Sequence, residues 1–171
     1  MAQNVEIKAR LDDITIQRRL VAGLSDFTVR FIKQKDYFLH ARQGRLKLRL
    51  FENGSGQLIS YVRKNQTGPK ISEYNIYETA DPHSLLAVLE KSHGIRGVVE
   101  KSRELYHCGK TRIHLDQVYD LGDFLELEVV LGEHEDRRAG EKEAAELMKK
   151  LQISEDNLVA DAYIDLLEKT S

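Results

Sequence analysis

The stretch Asn4-Val5-Glu6-Ile7-Lys8-Ala9-Arg10-Leu11 alternates strictly between polar and apolar residues. Successive side chains of a β-strand point to opposite faces, so the stretch is typical of a strand with one polar and one apolar side. The pattern does not say which side faces inward. If the apolar side forms the core, the charges are ordinary solvated side chains, whereas an inward charged side would form a binding site.

The same alternation returns along the rest of the chain. We predict about eight strands, mostly joined by tight turns such as the hairpin signal Asn53-Gly54-Ser55-Gly56. The predicted strands cover residues 3–11, 27–39, 45–51, 58–63, 71–78, 95–106, 111–118 and 123–131. The predicted helices extend from a cap at Asp12 or Asp13 through Ala22, from Asp81 to Gly94, over about 135–151, and from near Ser154 through Leu167.

Composition and charge are those of a soluble globular protein. The 171 residues are 32% charged and 41% hydrophobic, which suits one domain spanning residues 1–171. The net charge of -2 gives no overall basic field, so we expect neither nucleic acid nor a membrane as a partner. Cys108 is the only cysteine, the first residues lack a signal-peptide pattern, and no apolar segment approaches the roughly 20 residues of a membrane span. We therefore expect a cytoplasmic protein.

Several predicted strands carry charges of a single sign on one face. The positive faces contain Arg45, Lys47, Arg49, Lys101 and Arg103, and the negative face contains Glu126 and Glu128. For any single strand, a solvated polar face is the better interpretation, because antiparallel sheets packed on helices show one by default. Like charges on neighbouring strands destabilise a sheet, however, so the repeated segregation favours a ligand that compensates them.

A closed or nearly closed barrel would turn these polar faces into the lining of a lumen, with helices over the apolar outside. The cations would then converge on a polyanion. The carboxylates of Glu6, Asp116, Glu126 and Glu128 would repel one another unless a cation lay between them. Hard oxygen ligands suit Mg2+ or Mn2+, so a polyphosphate bound with a divalent metal would satisfy both charge signs.

Three segments resemble the CYTH family, also called triphosphate tunnel metalloenzymes, which includes class IV adenylate cyclases and thiamine triphosphatases. The segments are Val5–Arg10, Gly44–Arg49 with Gly68-Pro69-Lys70, and Thr111–Asp116 followed by Gly122–Glu128. Each is a weak signal alone, but all three follow the family's order and are closest to the class IV cyclase branch. The resemblance implies a single α+β domain, an eight-stranded antiparallel β-barrel with flanking helices whose tunnel holds a triphosphate.

The resemblance also implies roles for individual residues. Glu6 and Lys8 match the second Glu and the Lys of the family's Glu-x-Glu-x-Lys motif, and Asn4 stands where that motif begins with Glu. We expect weaker metal binding there, because a neutral ligand replaces a carboxylate. The implied phosphate-binding residues are Lys8, Arg45, Lys47, Arg49, Arg63, Lys70, Lys101, Arg103 and Arg112. The implied ligands of Mg2+ or Mn2+ are Glu6, Glu126, Glu128 and Asp116, and the implied catalytic residues are Glu6, Lys8, Glu126 and Glu128.

The residues leave three functions open. The first is an enzyme like the class IV adenylate cyclases, a phosphorus–oxygen lyase that converts ATP to cyclic AMP and pyrophosphate. The second is a triphosphatase acting on tripolyphosphate or on an organic triphosphate such as thiamine triphosphate. The third is a non-catalytic protein that binds polyphosphate or a nucleotide. His114 shares a predicted strand face with Asp116 and is a ligand, a hydrogen-bond donor to phosphate or a structural histidine. A homodimer also stays open.

Overall fold

The computed structural model describes residues 2–171, so that Met1 of the predicted domain lies outside them, and its strands form a closed antiparallel barrel. The strands are β1 (Ala2–Arg10), β2 (Arg30–Leu39), β3 (Arg45–Phe51), β4 (Gly56–Arg63), β5 (Lys70–Thr79), β6 (Ile95–Cys108), β7 (Thr111–Val118) and β8 (Gly122–Leu131). Their order around the barrel is β1-β5-β4-β3-β2-β6-β7-β8, and β1 closes it by pairing with both β5 and β8. The predicted fold class is confirmed.

Four helices flank this barrel: α1 (Ile14–Ala22), α2 (Pro82–His93), α3 (Arg137–Lys150) and α4 (Tyr163–Thr170). The side chains of Asp13 and Asp81 accept hydrogen bonds from the first-turn amides of α1 and α2, as their predicted capping roles require. Helix α1 lies against β7, α2 against β2 and β3, and α3 against β1 and β8. No helix within residues 2–171 is both long and apolar enough to cross a membrane.

The helix predicted from near Ser154 through Leu167 is confirmed only from Tyr163 onward, and its predicted start is wrong. Residues 155–157 form a single 3-10 turn, residues 158–162 are not helical, and α4 begins only at Tyr163. The reason is a tertiary contact: Leu158 bridges to Ala9 of β1, and the amide of Val159 donates to the carbonyl of Lys8. These bonds to a strand hold the segment out of a helix, although its apolar spacing also suits one.

The main hydrophobic core lies between the barrel wall and the helices. The apolar residues of the opening stretch, Val5, Ile7 and Ala9, are at most 1% exposed and pack in one cluster with Ala144 and Leu147 of α3. The same cluster takes the apolar faces of β7 and β8. The charged side of the alternating strands therefore faces the interior of the barrel, which answers the question that the sequence leaves open.

The C-terminal segment closes one end of the barrel. Ala162, Tyr163 and Ile164 are buried with Phe38 and other residues at that end. Gly97 on β6 allows this close approach, because a Cβ atom there would lie 2.5 Å from Cδ1 of Ile164. We call this the closed end, and the opposite end, where exposed residues such as Glu52 line the cavity, the mouth.

Gly140 tests the packing of α3 on the barrel. A Cβ atom at this position would lie 2.8 Å from Cδ2 of Leu131 and 2.9 Å from Cγ2 of Val5. We expect Gly140→Ala to lower the free energy of unfolding by about 1–3 kcal/mol through overpacking, despite a gain of about 1 kcal/mol in helix propensity. Urea unfolding measures the change, and Lys142→Ala on the exposed face of the same helix is the control. Increased stability in Gly140→Ala would contradict the tight contact.

Candidate functional site

The interior of the barrel is a cavity of about 700 Å³. All eight strands contribute inward-facing side chains to its wall, and Ala162 and Tyr163 lie at the closed end. This volume is within the range of small-molecule sites, roughly 300–1,000 Å³. The cavity is unlike most such sites because its lining is rich in charged side chains, which fall into two groups.

On one wall, a buried carboxylate holds three cations. Asp36 of β2 is 1% exposed and lies 2.8 Å from Nζ of Lys47, 2.8 and 2.9 Å from two guanidinium nitrogens of Arg49, and 3.7 Å from Nζ of Lys101. The strand register pairs Asp36 directly with Arg49. Burial acts to raise the pKa of Asp36. The positive charges of Arg49, Lys47 and Lys101 outweigh burial and hold this pKa well below its usual range.

The two lysines of this wall are unusually weak bases. Burial, with the neighbouring positive charge of Arg103, lowers the pKa of Lys101 to about 7. Burial and the charge of Arg49 likewise lower the pKa of Lys47 to about 8. In both cases Asp36 acts in the opposite direction and favours the charged form. The charge of this wall therefore changes near neutral pH.

On the opposite wall, Glu6, Glu126 and Glu128 form an acidic group. The register of β1 with β8 places Glu6 opposite Glu128 and Lys8 opposite Glu126. Nζ of Lys8 lies 3.1 Å from Glu126. Burial and the charge of Glu128 raise the pKa of Glu6. Burial also acts to raise the pKa of Glu126, but Lys8 and other cationic neighbours hold it well below its usual range.

Two arginines complete the pairing of this acidic group. Arg63 lies 3.3 Å from Glu6, and Arg112 lies 2.9 Å from Glu128. In each arginine the Nε atom is buried and has no hydrogen-bond partner within residues 2–171. Buried donors without partners are costly, so both nitrogens need an acceptor that the described side chains do not supply.

Arg103 connects the acidic group to the closed end. Two of its nitrogens lie 2.6 Å from the carboxylate oxygens of Asp116, and one lies 2.8 Å from Glu126. The hydroxyl of Tyr163 donates to Asp116 at 2.9 Å. Asp116 is fully buried and both of its oxygens have partners, so it acts here as an anchor for Arg103.

Three residues bring ligand atoms close enough together to hold a metal ion. His114, Glu126 and Glu128 each offer one such atom, and these atoms lie within 4.8 Å of one another. Nδ1 of His114 and Oδ1 of Asn4 are buried and have no hydrogen-bond partner in the described part of the chain. Two carboxylates beside an unpaired imidazole nitrogen have the donor chemistry of a divalent-metal site, so the residues present fit such an ion.

The sequence model of the CYTH domain matches residues 2–163. The chain belongs to the CYTH domain family. A Methanocaldococcus jannaschii protein, provisionally named an adenylate cyclase, is 27% identical over 177 residues, covering 95% of this chain and 97% of that protein.

Solved structures share the CYTH barrel. A Pyrococcus horikoshii protein has a TM-score of 0.82 and 22% identity, covering 95% of this chain and 98% of that one. A Hippeastrum protein, provisionally named an adenylyl cyclase and described as having a dominant triphosphatase activity, has a TM-score of 0.64 and 16% identity, covering 98% of this chain and 96% of that one. These structural likenesses show the fold.

Most residues that the resemblance singled out line the CYTH cavity: Glu6, Lys8, Lys47, Arg49, Arg63, Lys101, Arg103, Arg112, Glu126 and Glu128. Arg45 and Lys70 have other partners. Arg45 binds Asp165 of α4 at 2.8 Å, and Nζ of Lys70 donates to the carbonyls of Gln66 and Val159. Both therefore secure the closed end. Asp116, expected as a metal ligand, lies outside the group with metal-binding geometry.

Sequence reasoning missed two residues of the CYTH site, Asp36 and Tyr163. Asp36 lies two positions from Gln34 and Phe38 and so shares their inward face, but a single acid among such neighbours gives little signal. The ring centroid of Tyr163 lies 3.8 Å from Nζ of Lys8, and the Tyr163 hydroxyl donates a hydrogen bond to Asp116. Its position depends on the path of the C-terminal segment, which the sequence pattern does not reveal.

Asp36→Asn tests the balance of charge in the cavity. The variant leaves Lys47, Arg49 and Lys101 without their shared anion, so we expect the free energy of unfolding to fall by about 3 kcal/mol. That is the low end for broken buried pairs, because Lys101 can lose its proton. Added tripolyphosphate should restore part of the stability by binding the folded state. Urea unfolding with and without the anion measures both effects.

Asp12→Asn is the matched control, because Asp12 is exposed. It should unfold like the unmodified protein. Equal stability of Asp36→Asn and the control, or no response of Asp36→Asn to the anion, would contradict the charge balance.

Proposed function

We propose that this CYTH protein is a divalent-metal-dependent enzyme acting on a triphosphate in the barrel cavity, and that it converts ATP to cyclic AMP and pyrophosphate. The observation that carries the proposal is the convergence of cations from both walls on one cavity that also holds an acidic group, where Arg63 and Arg112 each keep an unpaired donor. The M. jannaschii relative, provisionally named an adenylate cyclase, supports the same reaction.

An anionic ligand accounts for the arginines of the cavity. The unpaired Nε atoms of Arg63 and Arg112 need acceptors, and phosphate oxygens accept such charge-assisted hydrogen bonds well. Cations outnumber carboxylates in the cavity lining, nine to six: Lys8, Arg30, Lys33, Lys47, Arg49, Arg63, Lys101, Arg103 and Arg112 against Glu6, Asp36, Glu52, Glu78, Glu126 and Glu128. A bound polyanion would offset this excess of positive charge.

An organic triphosphate suits the mouth better than an inorganic one. Three aliphatic side chains, which we call the aliphatic rim, line the cavity there: Ile32, Ile76 and Leu105. Ile32 precedes Asp36 on a strand whose far end packs at the closed end, so it lies on the mouth side of the charges. Ile76 is 47% exposed, and an organic group over the rim would remove such apolar surface from water.

Mg2+ or Mn2+ would be held by Glu126 and Glu128, with Glu6 beside them, and would neutralise phosphate charge when bound. The protein's own cations do the remaining electrostatic work. As the ribose hydroxyl bonds to the α phosphorus, the bond to the bridging oxygen breaks, and pyrophosphate leaves with added negative charge. Arg103, fixed by Asp116, and Lys47 and Arg49, fixed by Asp36, would already face that charge. The hydroxyl proton passes to water.

Hydrolysis is the second candidate. The Hippeastrum protein with the same fold is described as having a dominant triphosphatase activity, which favours this alternative. The same cations would then hold the triphosphate while water attacks the terminal phosphorus. Positioning and charge neutralisation are common to both reactions, so the lining of the cavity alone does not separate them.

The reaction products separate the candidates. We expect ATP with Mn2+ or Mg2+ to give cyclic AMP and pyrophosphate, resolved by chromatography, with tripolyphosphate and thiamine triphosphate as parallel substrates. Orthophosphate as the main product would establish the hydrolase instead. Glu126→Gln should reduce turnover at least about 100-fold through lost electrostatic stabilisation.

The control for this assay is Glu146→Gln, which makes the same chemical change on the exposed face of α3. It should retain full turnover. Equal activity in the two variants would remove Glu126 from the reaction, and tight binding of ATP without any product would indicate a binding protein.

The lysines of the cavity predict that anion binding takes up protons. At pH 8 Lys101, with a pKa of about 7, is mostly neutral and Lys47, with a pKa of about 8, is partly so. Bound phosphate favours their charged forms and raises both pKa values, so protons are absorbed. Calorimetric titration with tripolyphosphate at pH 8, in two buffers with different ionisation enthalpies, measures the uptake.

Lys101→Arg is the control, because arginine stays charged at every accessible pH. It should reduce the uptake at pH 8, and at pH 6 the contribution of both lysines should vanish in the unmodified protein. A binding heat that does not depend on the buffer at pH 8 would contradict the lowered pKa values.

A further inference from the structure

His114 occupies a position between two carboxylates of the acidic group. Its strand register pairs it directly with Glu126, and the residue is buried, at 4% exposure. Nδ1 lies 3.6 Å from Oε2 of Glu126 and 3.8 Å from Oε1 of Glu128. Within residues 2–171 this nitrogen has no hydrogen-bond partner.

These distances are too long for hydrogen bonds, which join nitrogen and oxygen at about 2.7–3.2 Å. The distances suit two ligands of one shared cation. With metal–ligand bonds of about 2.1 Å, atoms about 3.6 Å apart subtend an angle of roughly 120° at the metal.

The choice of donors bears on the choice of ion. Asn4 supplies a neutral amide where the family motif has a carboxylate, and its Oδ1 is also buried and unpaired. A site with two carboxylates and an imidazole nitrogen carries less negative charge than an all-carboxylate site. Mg2+ depends on hard oxygen ligands, whereas first-row transition ions also bind imidazole well.

We propose that Nδ1 of His114 is a metal ligand together with Glu126 and Glu128, and that this nitrogen makes the site prefer a first-row transition ion over Mg2+. The inference rests on the proposed function, which requires a divalent metal in the cavity. It assigns to His114 a role in selecting the metal, which is separate from the identity of the reaction.

Pulsed electron paramagnetic resonance of the protein loaded with Mn2+ alone tests the proposal. We expect modulation from a directly bound nitrogen, which changes from the 14N to the 15N pattern when the protein is labelled with 15N-histidine. The coupling should disappear in His114→Gln and persist in His134→Gln, whose imidazole is exposed in the loop between β8 and α3. Circular dichroism checks that both variants fold.

Competition titration adds a thermodynamic readout. We expect His114→Gln to weaken Mn2+ binding about tenfold or more and Mg2+ binding by much less. If His114→Gln does not fold, the labelled unmodified protein decides the matter, since His114 is the only histidine of residues 2–171 placed in a metal-binding group.

Two outcomes would overturn the inference. Mn2+ bound without nitrogen coupling would mean that oxygen ligands alone hold the metal, and no Mn2+ binding would remove the metal site itself. The product assay then judges the proposed function separately: turnover of a triphosphate with an all-oxygen site leaves that function standing, and absence of turnover ends it whatever the ligands are.

Discussion

The pairing of opposite charges inside a closed barrel is the constraint on which the rest of the structure depends. Removing an ion from water costs several kcal/mol, so a charged lumen is tolerable only when each charge has partners. Asp36 meets this requirement for three cations, and Asp116 meets it for Arg103. The same pairing fixes the side chains in position, and a fixed cation is what an anionic substrate needs. The ion pairs that make the buried charges tolerable in the folded protein therefore also hold the cations in place for an anionic substrate.

Filling the lumen with charge moves the hydrophobic core to the outside of the wall. The apolar faces of β1, β7 and β8 would be exposed to water without α1 and α3, so the helices are as necessary as the strands. The barrel also needs a closed end, and the C-terminal segment supplies it. Arg45 and Lys70 are inward-facing cations at that end, and they bind the segment instead of the cavity. Their partners explain why cations in the same alternating pattern have different roles.

The strict alternation of polar and apolar residues predicted the strands, and the order of the family's motifs predicted the barrel. The interactions that sequence reasoning missed all depend on contacts between distant segments. Asp36 lies near Lys101 of β6, which is far from it in sequence, and the hydroxyl of Tyr163 donates to Asp116 of β7. The apolar spacing around Leu158 suits a helix as well as an extended segment, and only the bridge to Ala9 decides between them. Local patterns thus specify which face is charged, whereas the path of the chain specifies which charges meet.

The pairing in the acidic group links the two proposed ligands. Lys8 forms an ion pair with Glu126, Arg63 with Glu6, and Arg112 with Glu128. These three cations use carboxylate oxygens that a divalent ion would also need, so they would exchange carboxylate for phosphate oxygens if both ligands are bound. Each ligand then prepares the cavity for the other, and by thermodynamic linkage this coupling is reciprocal. Neither ligand alone satisfies the whole network, because a metal alone leaves three cations unpaired and a triphosphate alone must compete with three carboxylates. The charged lumen is therefore suited to a metal–triphosphate complex more than to either part.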